Sequence, residues 1–274
     1  MMRPTNRTGS MLTELVVAML VTGVIGAAIT GLMVNQSRFF QDQEGQASAR
    51  RVARAGTSML LADLRMVENN GVLAAAPDSF TILVPYWMGV VCGPAAGSTI
   101  AAMQPVDSVM RAEAGHNGYA FVDSTWAVHY VIPGGTIGTG SAAVCTGQGV
   151  DTIPRGSVIS IGGTAAGANP GSPVFLVHAL TYAIRPSASV TGRLGVFRTV
   201  VSRNLTEELA APFDSTATFR YFTSPTAPPV TSPSPLSSVI GIQLELVGFN
   251  ERSGIAQGRT QRAPLLTSVF FGNR

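Results

Sequence analysis

Apolar residues form one long uninterrupted run near the start of the chain. From Leu15 to Val34 there are twenty residues without a charge, broken only by two threonines and three glycines. A helix of this length is about 30 Å long, which matches the hydrocarbon core of a bilayer. A secretory signal has a shorter apolar region followed by a small-residue cleavage site, and no such site follows Val34. We therefore predict that residues 10–34 form a membrane-spanning helix that stays attached to the protein.

After residue 34 the pattern changes to that of an amphipathic helix without proline. The apolar positions recur every three or four residues, and they are Val52, Gly56, Leu60, Leu64 and Val67, with Ala55 and Met59 widening the same face. The sequence Asn69-Asn70-Gly71 is a stop signal, because asparagine and glycine readily adopt the left-handed cap conformation. We predict one helix from about Met11 to about Asn70, with residues 35–71 packing one face on a globular head.

The rest of the chain, 72–274, has short runs of β-branched and aromatic residues separated by glycine and proline, which is typical of strands and turns. The predicted strands are 80–84, 119–122, 126–132, 157–161, 174–184, 194–201, 216–222, 239–249 and 265–271. Residues 223–238 contain five prolines and are predicted to be a loop or an extended tether. The predicted fold class is α+β, with a long N-terminal helix packed on a β-rich head.

The net charge is weak evidence for a nucleic-acid partner. The chain has 18 basic residues, all arginine, and 15 acidic residues. Two of the arginines, Arg3 and Arg7, lie in the first nine residues, so the remainder carries 16 arginines against 15 acids, or +1. Its one basic cluster, Arg50, Arg51 and Arg54, lacks the interleaved aromatic residues of a nucleic-acid surface. We interpret the cluster as a solvated helix face and predict no nucleic-acid partner.

The two cysteines, Cys92 and Cys145, are too few and too far apart for a metal site of the usual paired spacing. In an oxidising compartment they are expected to form a disulfide that closes a loop of about 50 residues and contributes about 4 kcal/mol in the chain-entropy model. Two unpaired thiols are the alternative.

Enzymatic motifs are absent from the sequence. His116, His129 and His178 lie far apart, and there is no G-x-S-x-G segment. The glycine-rich run at 134–140 lacks the order of a phosphate-binding loop, and the aspartates form no calcium-binding run. We predict no catalytic residue, no metal and no cofactor, which favours an interaction protein over an enzyme.

Glu14 is the one acidic residue beside the apolar run. A carboxylate inside a membrane helix costs about 2.5–3.5 kcal/mol at the centre and less near an end, so it calls for a partner. A cut between Gly9 and Ser10 would create an α-amino group four residues before Glu14. A glutamate that only snorkels to the membrane interface is the alternative.

Read together, the basic residues Arg3 and Arg7, then Gly9, then Glu14 and the apolar helix resemble the class III leader of type IV pilins and pseudopilins. In that family a prepilin peptidase cuts after the glycine and methylates the new N-terminus. The resemblance implies a leader over residues 1–9, a cut between Gly9 and an N-methylated Ser10, and roles in filament assembly for Glu14 and for the apolar residues Leu12 and Leu15. Ser10 departs from the family, where phenylalanine or methionine is more common.

Further segments are similar to the PilW-type minor pilins. VNQSRFFQDQ and RVARAGTSMLLADLRM follow the leader, and LTYAIRP, RLGVFRTVV and LTEELAAPFDSTATFRYF follow later. In that family these are a strand, an arginine-bearing strand, an E-x-L-A turn and a strand ending in an aromatic pair. VIGIQLELVGFNER and LLTSVFF match the last two strands. Residues 72–175 show no resemblance and are interpreted as an elaboration of this protein.

The resemblance implies a non-enzymatic minor pilin that primes or caps a type IV pilus. Its single span would lie in a bacterial inner membrane with the head in the periplasm, before it enters the pilus. Its partners would be other major and minor pilins, the prepilin peptidase, the inner-membrane assembly platform and membrane lipid. The alternatives are a J-type minor pseudopilin of a type II secretion system and a membrane-tethered periplasmic enzyme.

Overall fold

The structure, a computed structural model, describes residues 10–106, 115–250 and 261–272. It begins with helix α1 (Ser10–Leu64), whose 55 residues make it about 80 Å long at 1.5 Å per residue. The predicted leader, including Gly9, lies outside the described residues. The long helix is confirmed, but it ends at Leu64 and not near Asn70. Asn70 does adopt a left-handed conformation, with φ 67°, but in a separate turn after the helix.

The described residues of the head form thirteen strands, one short α-helix and two single-turn 3-10 helices. In chain order the strands are β1 (Val72–Ala75), β2 (Ser79–Ala95), β3 (Ser98–Met103), β4 (Gly118–Val122), β5 (Val128–Val131), β6 (Ile137–Thr139), β7 (Ser157–Gly162), β8 (Pro173–Pro186), β9 (Leu194–Val200), β10 (Leu205–Phe213), β11 (Thr218–Phe222), β12 (Gly241–Phe249) and β13 (Arg262–Phe270). Helix α2 (Ala142–Gly147) lies between β6 and β7. The strands confirm a β-rich head and the coarse α+β class.

The two longest strands, β2 and β8, form the antiparallel centre of the sheet, with Ser79 opposite Ala183 at one end and Val90 opposite Pro173 at the other. At the first end β8 pairs with β9, β9 with β10, and β10 with β12. Strand β12 also pairs with β11 and with β13. At the other end β2 pairs with β3, followed by β7 and β6, while the hairpin β4–β5 pairs with β8. The sheet therefore has two halves joined by the same two strands.

Each half has its own hydrophobic core. The first core packs α1 against the inner face of the sheet, and its members include Leu60, Leu64, Phe80, Tyr182, Phe213, Phe219 and Tyr221. The second core contains no residue of α1, and its members include Trp87, Met103, Tyr119, Phe121, Ile161 and Leu176. The region 72–175, which shows no resemblance to pilins, supplies most of the second core. This region is therefore a folded extension of the sheet.

The buried face of α1 differs from the prediction on one side. Val52, Gly56, Leu60, Leu64 and Val67 are all buried, as the spacing predicts. Ala55 and Met59 are exposed, and the face is instead widened by Ala49, Ala53 and Thr57. The prediction was wrong about the side because small residues, and not Met59, allow the helix to approach the sheet closely.

A polar cluster fixes the C-terminal end of α1 to the sheet. The Tyr182 hydroxyl donates a hydrogen bond to Asp63, and the guanidinium of Arg198 lies 3.5 Å from the same carboxylate. Arg198 Nε also donates to Glu207 Oε1 at 2.8 Å. Burial and the negative charge of Asp63 raise the pKa of Tyr182, so the phenol stays protonated and remains a donor. The cluster joins α1 to β8, β9 and β10.

Proline and loop segments account for the other differences. The predicted strand 80–84 is only the start of β2, because the chain passes Pro85 through a bulge between Pro85 and Trp87. The predicted E-x-L-A turn lies inside β10 and is a strand. The proline-rich stretch 223–238 is a loop that folds back, since Val230 forms an antiparallel bridge with Tyr221. It is not an extended tether.

The predicted disulfide is present between Cys92 of β2 and Cys145 of α2. Both cysteines are fully buried, among apolar side chains that include Ile100 and Val144. The bond therefore holds α2 against the outer part of the sheet.

Replacing both cysteines by serine is expected to lower the free energy of unfolding by about 4 kcal/mol, because the unfolded chain without the bond regains the entropy of a loop of about 50 residues. Denaturant unfolding of the disulfide-bonded protein and of the double-serine variant, followed by fluorescence, measures the difference. Equal stability, or free Cys92 and Cys145 thiols in protein from the native host, would contradict the structural role of the bond.

Candidate functional site: the exposed half of the long helix

The N-terminal half of α1 exposes apolar side chains on all sides. The exposed residues are Leu12, Leu15, Val16, Val17, Met19, Leu20, Val21, Val24, Ile25, Ile29, Leu32, Met33 and Val34. Neighbouring positions on a helix are rotated by about 100°, so runs such as these cover the whole circumference. The most apolar 18-residue window of the helix has a mean hydropathy of 2.3, and none of it is buried. By length and composition this helix is a candidate single membrane span. Signal sequences and buried helices of soluble proteins meet the same two criteria.

The two hydroxyl groups between Leu15 and Val34 are satisfied inside the helix. Thr22 Oγ1 donates to the carbonyl of Ala18 at 2.7 Å, and Thr30 Oγ1 donates to that of Gly26 at 2.8 Å. A hydroxyl without a partner is costly in an apolar medium. These internal bonds therefore make the segment compatible with lipid or with other helices.

Glu14 lies in the second turn of α1 with its side chain exposed. It makes no hydrogen bond or ion pair with any residue that the structure describes. Leu12 and Leu15 flank it, with exposed fractions of 72% and 56%. The helix begins at Ser10, so four residues, or about 6 Å of rise, separate Glu14 from the predicted mature N-terminus. The acid is thus a single carboxylate at the end of an apolar surface.

Glycines allow close packing between α1 and the sheet in the part of the helix that follows the exposed half. A Cβ atom on Gly248 of β12 would lie 2.1 Å from the Ala49 carbonyl oxygen, and one on Gly56 would lie 2.8 Å from Phe213 Cζ. Gly45, nearer the exposed half, is buried beside Asn250 and Gln261. The helix therefore packs closely on the head from residue 45 onward. Sequence reasoning missed Gly45 and Gly248, because no pattern in the sequence shows which strand glycine faces the helix.

The basic cluster lies on the outer side of this packed region. Arg50, Arg51 and Arg54 are all exposed, as predicted for a solvated face. Arg51 and Ser48 line a cleft of about 390 Å³ between α1 and β10, with Leu209 and Ala210 on the strand side. None of the three arginines forms an ion pair within the described parts of the chain.

The histidines remain separate. His129 Nε2 lies 2.7 Å from Asp123 Oδ2 at the β4–β5 turn, and His116 lies beside Tyr86. Hydrogen bonds from Thr125 and His129 lower the pKa of Asp123, whose Oδ1 also accepts from two backbone amides of the turn. These contacts shape a hairpin turn. Among the residues searched, 10–106, 115–250 and 261–272, no three His, Cys, Asp or Glu side chains are grouped to hold a metal.

The glycine-rich run 134–140 is used for close backbone packing. A Cβ on Gly134 would lie 2.5 Å from Gly118 Cα, and one on Gly140 would lie 2.6 Å from the Ile159 carbonyl oxygen. Part of the run forms β6 against β7. Its glycines therefore allow strands to approach one another, which explains the composition without a phosphate ligand.

Comparison of the chain with protein-family models, with curated proteins and with solved structures gave no match. The functional assignment therefore depends on the residues of the chain and on the geometry of α1.

Proposed function

We propose that the protein is a minor pilin, a non-enzymatic subunit that is anchored in the membrane and then primes or caps a type IV pilus. The observation that carries the proposal is the division of one helix into two halves with different surroundings. Residues 15–34 are exposed and apolar on every side, while the stretch from Gly45 to Leu64 buries one face on the sheet. A subunit built this way can pack its free half among other helices while its head stays outside.

The leader pattern supports the same proposal. Gly9, Ser10 and Glu14 have the spacing at which a prepilin peptidase of the inner membrane would cut and methylate. Ser10 is the first residue of α1, so the cut would fall at the start of the helix and would leave its apolar half whole. The new α-amino group would then lie at one end of the assembly surface.

The shape of the head favours a minor position over a repeated one. The head extends beyond the core that packs on α1 into a second core built largely from 85–177. A shaft subunit must pack against identical copies on several sides, and an added half-sheet makes this repeat harder. We therefore place the subunit at the start or the end of a filament.

Mass spectrometry of the native protein is expected to find Ser10 at the N-terminus with one added methyl group. Gly9→Val is expected to block the cut, because the family's peptidase requires glycine before the scissile bond. Gly23→Val, in a part of the helix where a Cβ meets nothing within 4 Å, serves as the control and should leave cleavage unchanged. Recovery of an intact Met1 or Met2 from assembled filaments would reject the pilin proposal.

A further inference from the structure

Two phenylalanines lie on α1 between the apolar half and the head. Phe39 and Phe40 are 60% and 67% exposed, and their ring centroids are 6.2 Å apart. Residues 35–41 are exposed throughout. Contact with the head begins after them, where Gln261 Nε2 donates to Asp42 Oδ1 at 3.3 Å. The pair therefore belongs to a free collar of helix, residues 35–41, between the candidate span and the sheet.

The rings of the collar point in different directions. Successive residues on a helix are rotated by about 100°, so Arg38, Phe39 and Phe40 together cover about 200° of the circumference. One neighbouring helix contacts only one side, whereas a membrane interface surrounds the helix on all sides. This arrangement fits a surrounding layer better than a docking face.

The height of the collar matches the headgroup layer. Phe39 is five residues beyond Val34, which is about 7.5 Å along the axis. Side chains on a helix lean toward its N-terminus, so the rings reach back toward the hydrocarbon edge. The polar layer on each side of a bilayer is about 5–7 Å thick. Tryptophan and tyrosine concentrate in this layer because their rings are amphipathic, and phenylalanine is among the residues that interfacial helices bury at its boundary with the acyl chains.

We propose that Arg38, Phe39 and Phe40 form an interfacial anchor that inserts into phospholipid headgroups on the head side of the membrane, with Arg38 binding a lipid phosphate. Arg38 forms no ion pair with a described residue, so its guanidinium is available for a phosphate oxygen. The anchor would hold the head against the membrane surface, since Gly45 begins the buried packing only about 7.5 Å above Phe40. This inference rests on the membrane span of the proposed function, but not on pilus assembly.

The test uses the full-length chain in vesicles of phosphatidylethanolamine and phosphatidylglycerol, with some lipids brominated near the ester end of the acyl chains. A tryptophan is added in three separate variants, Phe40→Trp, Gln46→Trp and Met33→Trp, and the emission of the parent protein is subtracted. Gln46 is exposed on the same helix, but about 18 Å beyond Val34. Met33→Trp reports whether the span itself is inserted.

We expect the bromines to quench Phe40→Trp and Met33→Trp, while Gln46→Trp loses no emission. Bromines near the terminal methyl groups should quench Phe40→Trp less than those near the ester end. If Met33→Trp is quenched and Phe40→Trp is not, the anchor is rejected while the span stands. In that case a blue-shifted emission maximum of Phe40→Trp would show that the collar packs against a second helix, and a red-shifted maximum would show that it faces water. If neither is quenched, the span and the anchor both fail.

Discussion

Replacing Gly248 by alanine is expected to destabilise the head and loosen α1 from the sheet. The added methyl carbon would lie 2.1 Å from the Ala49 carbonyl oxygen, 3.1 Å from the Ala49 carbonyl carbon and 3.1 Å from Ala53 Cβ. Its nearest neighbour is helix backbone, which cannot rotate away as the end of a long side chain can. Overpacking of this kind costs about 1–3 kcal/mol, and a backbone obstacle places this site near the upper value.

Gly147→Ala is the matched control, because it adds the same methyl group at a position with nothing within 4 Å. Its effect should stay within about 0.5 kcal/mol, as for other surface substitutions. Denaturant unfolding of the three detergent-solubilised proteins, followed by the fluorescence of the buried Trp87, gives both differences. If Gly248→Ala is as stable as Gly147→Ala, the helix does not pack on β12 at this distance.

The buried face of α1 shows how far the sequence predicts the fold. The spacing of Leu60, Leu64 and Val67 defines a face, and all three are buried. Spacing cannot tell which side of that face extends further, since the answer depends on the surface opposite it. Gly248 leaves room only for small residues opposite it, and Ala49 and Ala53 are the buried residues that meet it there.

The strands illustrate a second limit. Proline removes a backbone donor and normally ends a central strand, so the sequence predicts a strand that ends at residue 84. The structure continues β2 to Ala95, because a bulge after Pro85 restores the pairing with β8. Whether a bulge follows a proline depends on the partner strand, which lies about 90 residues later in the chain. Local sequence does not contain that information.

The candidate site was more predictable than the head. The composition of residues 15–34 alone predicts the apolar half of α1. This prediction does not depend on which other part of the chain the helix packs against. The sequence alone assigns no role to Phe39 and Phe40, because the usual interfacial signal is tryptophan or tyrosine and their exposure on a free stretch of helix is visible only in the structure. Gly9 lies outside the described residues, so its role stays a prediction.

If the protein is a minor pilin as proposed, Glu14→Ala is expected to weaken its recruitment to the partner pilins while leaving cleavage, membrane insertion and the fold of the head intact. In the structure Glu14 is exposed and more than 30 residues from the packed region that begins at Gly45, so the head cannot depend on it. In lipid, before assembly, its carboxylate lies near the headgroups at modest cost. Among the apolar helices of a filament the same charge needs a cation.

The only cation that the leader pattern supplies is the α-amino group of Ser10 after cleavage. Within one helix four residues separate the amine from Glu14, a rise of about 6 Å, so the amine of an adjacent subunit is the better partner. Removing one member of a buried ion pair leaves the other charge uncompensated and costs about 3–5 kcal/mol. A loss of 3 kcal/mol lowers binding by roughly a hundredfold.

Cross-linking and co-purification with the partner pilins in the native host measure this loss. Glu14→Gln keeps the shape of the side chain without its charge and should behave like Glu14→Ala if the ion pair is responsible. Thr22→Ala is the control in the same apolar half, because the Thr22 hydroxyl is uncharged and its proton is already donated to the carbonyl of Ala18 in its own helix. Recruitment of Glu14→Ala at the level of Thr22→Ala would show that the glutamate only snorkels to the membrane interface.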